Sequence, residues 1–276
     1  MRVLVLAVAL SLGAIVVAPP ASAQSVWPAD GQAGYVLGHG AVRVGPNQHV
    51  APIASMAKVM TGYLVLRSAP LAPNAQGFRM RVSRRDVRDW HRRVARDEST
   101  VPVRLGERLT ERQALAALLL PSANNIAIML ARKVAGSVPG FVRRMNRTAS
   151  TLGMRHTTYT DPSGFDEHTE STPRDQLVLA RVAMHRNVFR RLVGRRNFRI
   201  PVAGKIANTD TLLGHDGFVG IKTGSMDASG GCFMFLTHRR VHGRRVNLYG
   251  VVMGQQGGDL IQAALQAARN LADRVG

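Results

Sequence analysis

The sequence predicts an α/β protein of the α+β kind, in which an antiparallel sheet of about five strands is flanked by helices and interrupted by an inserted, mostly helical subdomain. Three observations predict this class. Two short apolar runs stand near the start of the chain, apolar residues at helical spacing dominate the middle, and three β-rich runs followed by an amphipathic helix close it. Because the strands come from both ends of the chain, the simplest packing joins them in one sheet.

The first residues have the features of an export signal. Arg2 precedes an almost unbroken apolar run from Val3 to Ala18, and Ala21-Ser22-Ala23 has the small-x-small pattern of a cleavage site. We therefore expect residues 1–23 to be a signal peptide. An uncleaved anchor is the alternative, because the run approaches the roughly 20 residues of a membrane span. In both cases the rest of the chain is expected outside the cytoplasm, in the cell wall or at the outer face of the membrane.

Residues 24–276 are expected to form one domain that begins with a hairpin and a buried helix. Between Ala33 and Val44, two apolar runs are separated by Gly38-His39-Gly40, which favours a turn. From Ala54 to Leu66 the apolar residues recur at helical spacing. A strand pair is therefore predicted to lead into a helix of the core.

The middle of the chain is predicted to be helical. Residues 106–135 have a strong helical pattern that is broken at Pro121-Ser122-Ala123-Asn124-Asn125, where proline ends one helix and the polar residues suit a turn or an N-cap. Further helices are expected near Val138 to Leu152 and Arg174 to Met184. We place the helical subdomain at about 71–204.

The sequence pattern of the last part of the chain is typical of an antiparallel meander. Short β-rich runs separated by glycine, serine, aspartate and basic turns predict strands near Val219 to Thr223, Cys232 to Thr237 and Val246 to Met253. An amphipathic helix from Asp259 to Arg274 is expected to pack on the domain. Together with the first hairpin, these elements place the sheet subdomain at about 28–70 and 205–276.

The chain is strongly basic, with a formal net charge of +20. The densest patch runs from Arg79 to Arg96 and contains eight arginines and two acids. Nucleic acid is not expected as a partner, because export removes the chain from it and no aromatic residues alternate with the arginines to stack on bases. The patch is interpreted as a solvated face, or as a surface for anionic wall polymers or the membrane.

The sequence gives no sign of a disulfide, a metal site or a cofactor. Cys232 is the only cysteine, and its strand-like surroundings favour a small buried hydrophobic residue over a nucleophile. The nine histidines lack the i, i+4 pairing of a zinc helix, and His156 and His168 are expected to lie in loops. The acidic residues Asp161, Asp166 and Glu170 suit loop stabilisation better than a glycosidase pair.

Three short motifs carry the chemistry of this sequence. They are Ser55-Met56-Ala57-Lys58, Ser122-Ala123-Asn124 and Lys222-Thr223-Gly224. Each occurs by chance in many proteins. Their conjunction is informative, because they stand in order at a helix start, in an interhelix loop and on a strand.

The first motif has the spacing of a serine nucleophile and its base. Residues i and i+3 share a helix face, so the Lys58 amine can reach the Ser55 hydroxyl. Lysine acts as a base only when burial or a second cation lowers its pKa, and Lys222 is the candidate cation. Only four of the 37 lysine and arginine residues are lysines, and two of these four stand in the motifs. Arginine stays protonated and would not serve as the base.

Beyond these motifs, the sequence resembles the low-molecular-mass penicillin-binding proteins of the serine D-Ala-D-Ala carboxypeptidase family, which share their fold with the serine β-lactamases. The resemblance runs from about Ala33 to Gly254. The segments that carry it are Ala54 to Thr61, Phe141-Val142, Met145-Asn146, Leu152-Gly153-Met154, Thr158 to Gly164, Ser171-Thr172 and Gly220 to Gly224.

The resemblance implies a catalytic mechanism through an acyl-enzyme. Ser55 would attack the carbonyl between two terminal D-alanines of a peptidoglycan stem peptide, and Lys58 would take its proton. Ser122 would relay a proton to the leaving D-alanine. The residues implied in substrate binding are Asn124 for the peptide amide, Lys222 and Thr223 for the terminal carboxylate, and Gly224-Ser225, with the Ser55 and Ser225 backbone N–H groups as the oxyanion hole. Penicillins would acylate the same serine.

The sequence departs from the family pattern at one place, and two other functions stay open. Where some members of the family carry an arginine that assists with the substrate carboxylate, this chain has Gln255-Gln256-Gly257-Gly258. A class A-like β-lactamase is one alternative, with Glu170 as the nearby candidate for a deacylating carboxylate, although its surroundings lack the usual pattern. A wall-binding or β-lactam-binding protein without turnover is the other.

Overall fold

The protein is described by a computed structural model over residues 25–275. The predicted signal peptide lies outside the described residues. The strands are β1 (Gln32–Leu37), β2 (Arg43–Val44), β3 (Ala51–Pro52), β4 (Arg79–Arg81), β5 (Arg108–Thr110), β6 (Glu170–Ser171), β7 (Asn197–Ile200), β8 (Gly204–Ala207), β9 (Phe218–Met226), β10 (Gly230–Val241) and β11 (Arg244–Gln255). The helices are α1 (Ala57–Ser68), α2 (Arg84–Val94), α3 (Glu111–Leu119), α4 (Asn124–Ala135), α5 (Val138–Thr151), α6 (Pro173–Met184), α7 (Asn187–Val193) and α8 (Leu260–Val275).

The main sheet joins the two ends of the chain, as the sequence predicts. Its five strands are antiparallel and lie in the order β2-β1-β11-β10-β9. The register places Gln32 of β1 opposite Met253 of β11. The predicted class, an antiparallel sheet of about five strands with flanking helices, is therefore confirmed. The division into a sheet subdomain and a helical subdomain remains a proposal.

One face of the sheet is covered by the helices of the middle region, and the other by α8. Helix α1 is buried from Ala57 to Leu66 and packs against α3, α4 and α6, so it lies at the centre of the larger core. On the opposite face, α8 contacts β10 and β11 over a cluster that contains Phe218, Phe233 and Phe235. The closing helix thus packs on the domain, as expected. Among residues 25–275, no helix combines the length and apolar character needed to span a bilayer.

Some local elements were not predicted from the sequence. The arginine-rich segment forms α2, which begins in a capping box between Ser83 and Asp86. Asp86 and Asp89 of this helix are buried and pair with arginines. The helix therefore has an inward acidic face, which the large excess of arginines in this segment did not indicate. The short strand pairs β3-β6, β4-β5 and β7-β8 were also missed, because two to four residues leave little periodic signal.

Candidate active site

The first motif is assembled within one turn of helix. Ser55 lies in a 3-10 turn, Ala54–Met56, that leads directly into α1, and Lys58 follows in the first turn of that helix. The Lys58 Nζ atom is 2.7 Å from the Ser55 Oγ atom and donates to the Ser163 carbonyl at 2.8 Å. Ser55 is half-buried and Lys58 is fully buried. The predicted contact between hydroxyl and amine is present.

The surroundings of Lys58 favour its neutral form. Burial lowers the pKa of Lys58 well below its ordinary value, and the positive charge of Lys222 lowers it further. Asp161 and Glu98 act in the opposite direction but are weaker influences. The amine is therefore able to accept a proton from a neighbouring hydroxyl at a pH where an exposed lysine would be charged.

A loop from residue 161 to 165 closes against the nucleophile turn. Asp161 accepts from the backbone N–H groups of Ser163 and Gly164, at 3.0 and 2.8 Å, which confirms its predicted role in stabilising the loop. Thr61 of α1 donates to the Pro162 carbonyl at 2.7 Å. These bonds fix the Ser163 carbonyl where it can hold Lys58. Sequence reasoning did not assign Ser163 to the site, because its contribution is a backbone oxygen.

The third motif lies on β9 beside the nucleophile. A Cβ atom at Gly224 would stand 2.9 Å from the Ser55 backbone nitrogen, so only glycine allows this strand to approach so closely. Lys222 is fully buried, and burial lowers its pKa to about 7 although the charge of Asp210 raises it. Ser225, which follows Gly224, is exposed. The strand therefore brings Lys222 and Gly224 to the base and the nucleophile.

Leu120, two residues before the second motif, is tied to β9 through Thr209. The Thr209 backbone N–H donates to the Leu120 carbonyl at 3.2 Å, and its hydroxyl lies 2.5 Å from the Thr223 hydroxyl. Ser122 adopts a left-handed conformation with φ of 66°, and its buried Oγ atom has no partner within residues 25–275. Strained backbone with an unpaired polar group is typical of functional sites. The three motifs thus share one region of the fold.

Asn124 begins α4 in contact with a buried carboxylate. Its Nδ2 atom donates to the Glu98 Oε2 atom at 2.9 Å, while its buried Oδ1 atom has no partner in the described part of the chain. Sequence reasoning missed Glu98, and also Thr209 and Asp210. Glu98 stands two residues after the arginine-rich segment from Arg79 to Arg96, so the nearby arginines outnumber its charge. Thr209 and Asp210 lie between predicted elements and have no motif of their own.

The remaining predicted residues lie outside this arrangement. Cys232 is buried, and burial raises its pKa to about 11, so it is an inert thiol. Glu170 lies in β6, where its backbone pairs with Thr158. The Gln255 side chain is buried and donates to the carbonyls of Asp30 and Met253, at 2.8 and 3.1 Å. Within residues 25–275, no group of three or more histidine, cysteine, aspartate or glutamate side chains forms a metal cluster.

Comparison with known proteins decides the family. The sequence profile of a family described as D-alanyl-D-alanine carboxypeptidase matches residues 14–257. The chain belongs to this family. The predicted resemblance is thereby confirmed.

Relatives within the family differ in how much of their length the chain matches. The chain is 33% identical to a D-alanyl-D-alanine carboxypeptidase of Mycobacterium tuberculosis over 78% of this chain and 73% of that protein. It is 35% identical to a D-alanyl-D-alanine endopeptidase of Pseudomonas aeruginosa, over 46% of this chain and only 37% of that protein. The chain is therefore similar to enzymes of both names.

Two solved structures have the same fold as this chain. A variant of the DD-transpeptidase of Streptomyces strain K15 has a TM-score of 0.77 at 26% identity, covering 89% of this chain and 97% of that one. Penicillin-binding protein D2 of Listeria monocytogenes, solved in its cefotaxime-bound form, has a TM-score of 0.71 at 24% identity over 89% of this chain and 96% of that one. The second match shows the fold alone.

Proposed function

We propose that this protein is a serine-type D-Ala-D-Ala carboxypeptidase that removes the terminal D-alanine from peptidoglycan stem peptides through an acyl-enzyme on Ser55. The observation that carries the proposal is the 2.7 Å contact between Ser55 Oγ and the buried, cation-flanked Lys58 amine. Membership of the D-alanyl-D-alanine carboxypeptidase family supports the substrate class.

The proposed reaction has two steps. In the first, Lys58 takes the Ser55 proton, the Ser55 oxygen bonds to the carbonyl carbon, and the bond to the leaving D-alanine nitrogen breaks as Ser122 relays a proton to that nitrogen. In the second, water attacks the ester and gives up a proton, which returns to Ser55 as the ester bond breaks. The Ser122 hydroxyl, which has no hydrogen-bond partner among the described residues, suits a proton relay because a hydroxyl can both donate and accept.

Substrate binding is assigned to the residues around this centre. Lys222 and Thr223 bind the terminal carboxylate, and Asn124 binds the peptide amide. The backbone N–H groups of Ser55 and Ser225 form the oxyanion hole, a device commonly worth about 3 to 4 kcal/mol per donor. Because Gln255 is engaged with backbone carbonyls, carboxylate recognition rests on the Lys222 strand. Penicillins enter by the same route and acylate Ser55.

The test combines product release with mapping of the acylated residue. We expect the wild-type protein to release D-alanine from a diacyl tripeptide that ends in D-Ala-D-Ala, and penicillin to add its mass to the tryptic peptide of residues 44–58. The Ser55→Ala variant should lose both signals, whereas Ser68→Ala, a change of an exposed serine at the other end of α1, should keep them. An adduct outside residues 44–58 would overturn the proposal.

The same material separates the alternatives. Rapid turnover of penicillin, without an accumulating acyl-enzyme, would favour a β-lactamase. Acylation without release of D-alanine would favour a β-lactam-binding protein. Cleavage of crosslinked stem peptides in preference to the tripeptide would favour an endopeptidase, which the likeness to the Pseudomonas aeruginosa enzyme makes worth assaying.

We further propose that the protein is exported and that the outer face of α2 binds anionic wall polymers. Asp86 and Asp89 turn inward, where they pair with arginines, so the exposed arginines of α2 form a cationic face. Binding to wall fragments that carry phosphate polymers should weaken in R85Q/R88Q and as the salt concentration rises. A matched variant on α5, R143Q/R147Q, should bind like wild type, and equal losses in the two variants would contradict a specific α2 surface.

A further inference from the structure

A cavity separate from the candidate active site lies at the start of β9. Its volume is about 570 Å³, within the range of about 300 to 1,000 Å³ that is common for small-molecule sites. It opens between the sheet, the end of α6 and helix α7. Val219 lines it and precedes Lys222 by three residues, about 10 Å along a strand. None of its lining residues belongs to the candidate active site.

The deep side of this cavity is apolar. Four residues of this side are each at most 4% exposed, namely Met184, Leu213, Phe218 and Leu236. The half-buried Tyr249 adds a second aromatic residue to the lining. Water gains little from contact with such walls, so they favour a ligand with an alkyl or aromatic body.

Positive charge stands at one side of the cavity. Arg190 lines it, and the Arg190 Nη1 atom donates to the Met184 carbonyl at 2.9 Å, which holds the guanidinium beside the apolar side. Burial raises the pKa of Tyr249, whereas the positive charges of Arg181 and Arg190 lower it, so both arginines stand near the Tyr249 ring. Neither arginine makes an ion pair within residues 25–275. Among the described residues that line the cavity, none is acidic.

The sheet contributes polar groups and a third cation. His238 of β10 lies opposite Asn247 of β11, and the His238 Nδ1 atom is 2.9 Å from the Asn247 Oδ1 atom. Burial lowers the pKa of His238, and the charge of Arg245 lowers it further. The imidazole is therefore a neutral polar wall with another arginine close by. The charged groups around the cavity are thus all cations, which calls for an anion on the ligand.

We propose that this cavity binds a small organic anion, with an apolar body against Phe218 and Leu236 and one carboxylate or sulfonate group beside Arg181 and Arg190. The inference goes beyond the proposed function, because the cavity shares no residue with the Ser55 reaction and binding there requires no acylation. The ligand class follows from the separation of an apolar side from a cationic side.

The test uses two fluorescent probes that differ in the anionic group. Anilinonaphthalene sulfonate has the charge, and N-phenylnaphthylamine has the same rings without it. Both are titrated into the full-length protein and into R181Q/R190Q, which keeps the apolar side of the cavity. We expect the dissociation constant of the sulfonate to rise by about tenfold or more, and that of the amine to change by less than about twofold.

Three matched variants make the result specific. Val219→Phe narrows the cavity without changing its charge and should weaken binding of both probes. Ala267→Phe adds the same ring to a different cavity, of about 650 Å³, between α8 and residues 25–30, and should leave both dissociation constants unchanged. R143Q/R147Q removes two exposed charges from α5 and should also bind like wild type. Urea denaturation shows that each variant is folded under the conditions of the titration.

Several outcomes would overturn the inference. Absence of saturable sulfonate binding to the wild-type protein would do so, as would equal weakening in R181Q/R190Q and R143Q/R147Q, which would show attraction to the net charge alone. Weakening in Ala267→Phe but not in Val219→Phe would place the probe in the other cavity. Displacement of the sulfonate by acylation of Ser55 would place it in the active site. A protein that penicillin does not acylate would leave the titrations intact, so the two proposals fail separately.

Discussion

Substitution of Gly164 tests whether the 161–165 loop must pack closely against the turn that contains Ser55. Its φ of +75° lies in the left-handed region. A Cβ atom there would stand 1.8 Å from the Ala54 carbonyl oxygen and 2.9 Å from the Ala57 Cβ atom. These neighbours flank Ser55. Gly164→Ala must therefore strain the backbone and also displace the nucleophile turn.

The two costs can be separated with a second glycine. Gly153 has nearly the same φ, +76°, but nothing lies within 4 Å of its Cβ position. Gly153→Ala should cost only the backbone term, about 1 to 2 kcal/mol in the free energy of unfolding. Gly164→Ala adds an overpacking term of about 1 to 3 kcal/mol, which makes about 2 to 5 kcal/mol together.

Urea denaturation measures the stability of both variants, and the rate of penicillin acylation reports the position of Ser55. We expect Gly164→Ala to be the less stable of the two and to acylate more slowly under conditions where it remains folded. Gly153→Ala should acylate at the wild-type rate. If the two variants lost the same stability and both acylated normally, the packing argument for the 161–165 loop would be refuted.

Two further predictions concern pH. The reactive form of Lys58 is the neutral amine, so acylation should slow as the pH falls through the lowered pKa of this residue. Lys222→Gln removes a cation that lowers the pKa of Lys58, so the acidic limb of the pH-rate profile should move to higher pH. An unchanged limb would show that Lys222 does not act on Lys58. Burial raises the pKa of Glu111 from 4.5 to about 7. The folded state therefore binds this proton more tightly than the unfolded state does, and the free energy of unfolding should fall as the pH rises from about 4.5 to about 7. Urea denaturation should show the stability of Glu111→Gln, relative to wild type, increasing from pH 5 to pH 8, and a constant difference would contradict the assignment.

Much of the fold was accessible from the sequence because its signals are local. The helix from Ala54 and the break at Pro121 follow from spacing and from proline, which act within a few residues. The five-stranded sheet was also predicted, because its strands are β-rich runs that stand near the two ends of the chain. The arginine-rich helix was missed, because its buried residues are Asp86 and Asp89 and its apolar packing comes from the half-buried Val87 and Trp90.

The sequence by itself determined the order of the three motifs and the contact between Ser55 and Lys58, since residues three apart on a helix are neighbours whatever surrounds them. Tertiary structure alone decided how far Lys58 is buried and which groups face it. The Ser163 carbonyl is 105 positions from Lys58 along the chain. The Glu98 carboxylate, which accepts from the Asn124 side chain, comes from 26 positions away. Such pairings depend on how helices and loops pack together, and packing is a property of the whole fold that no local pattern encodes.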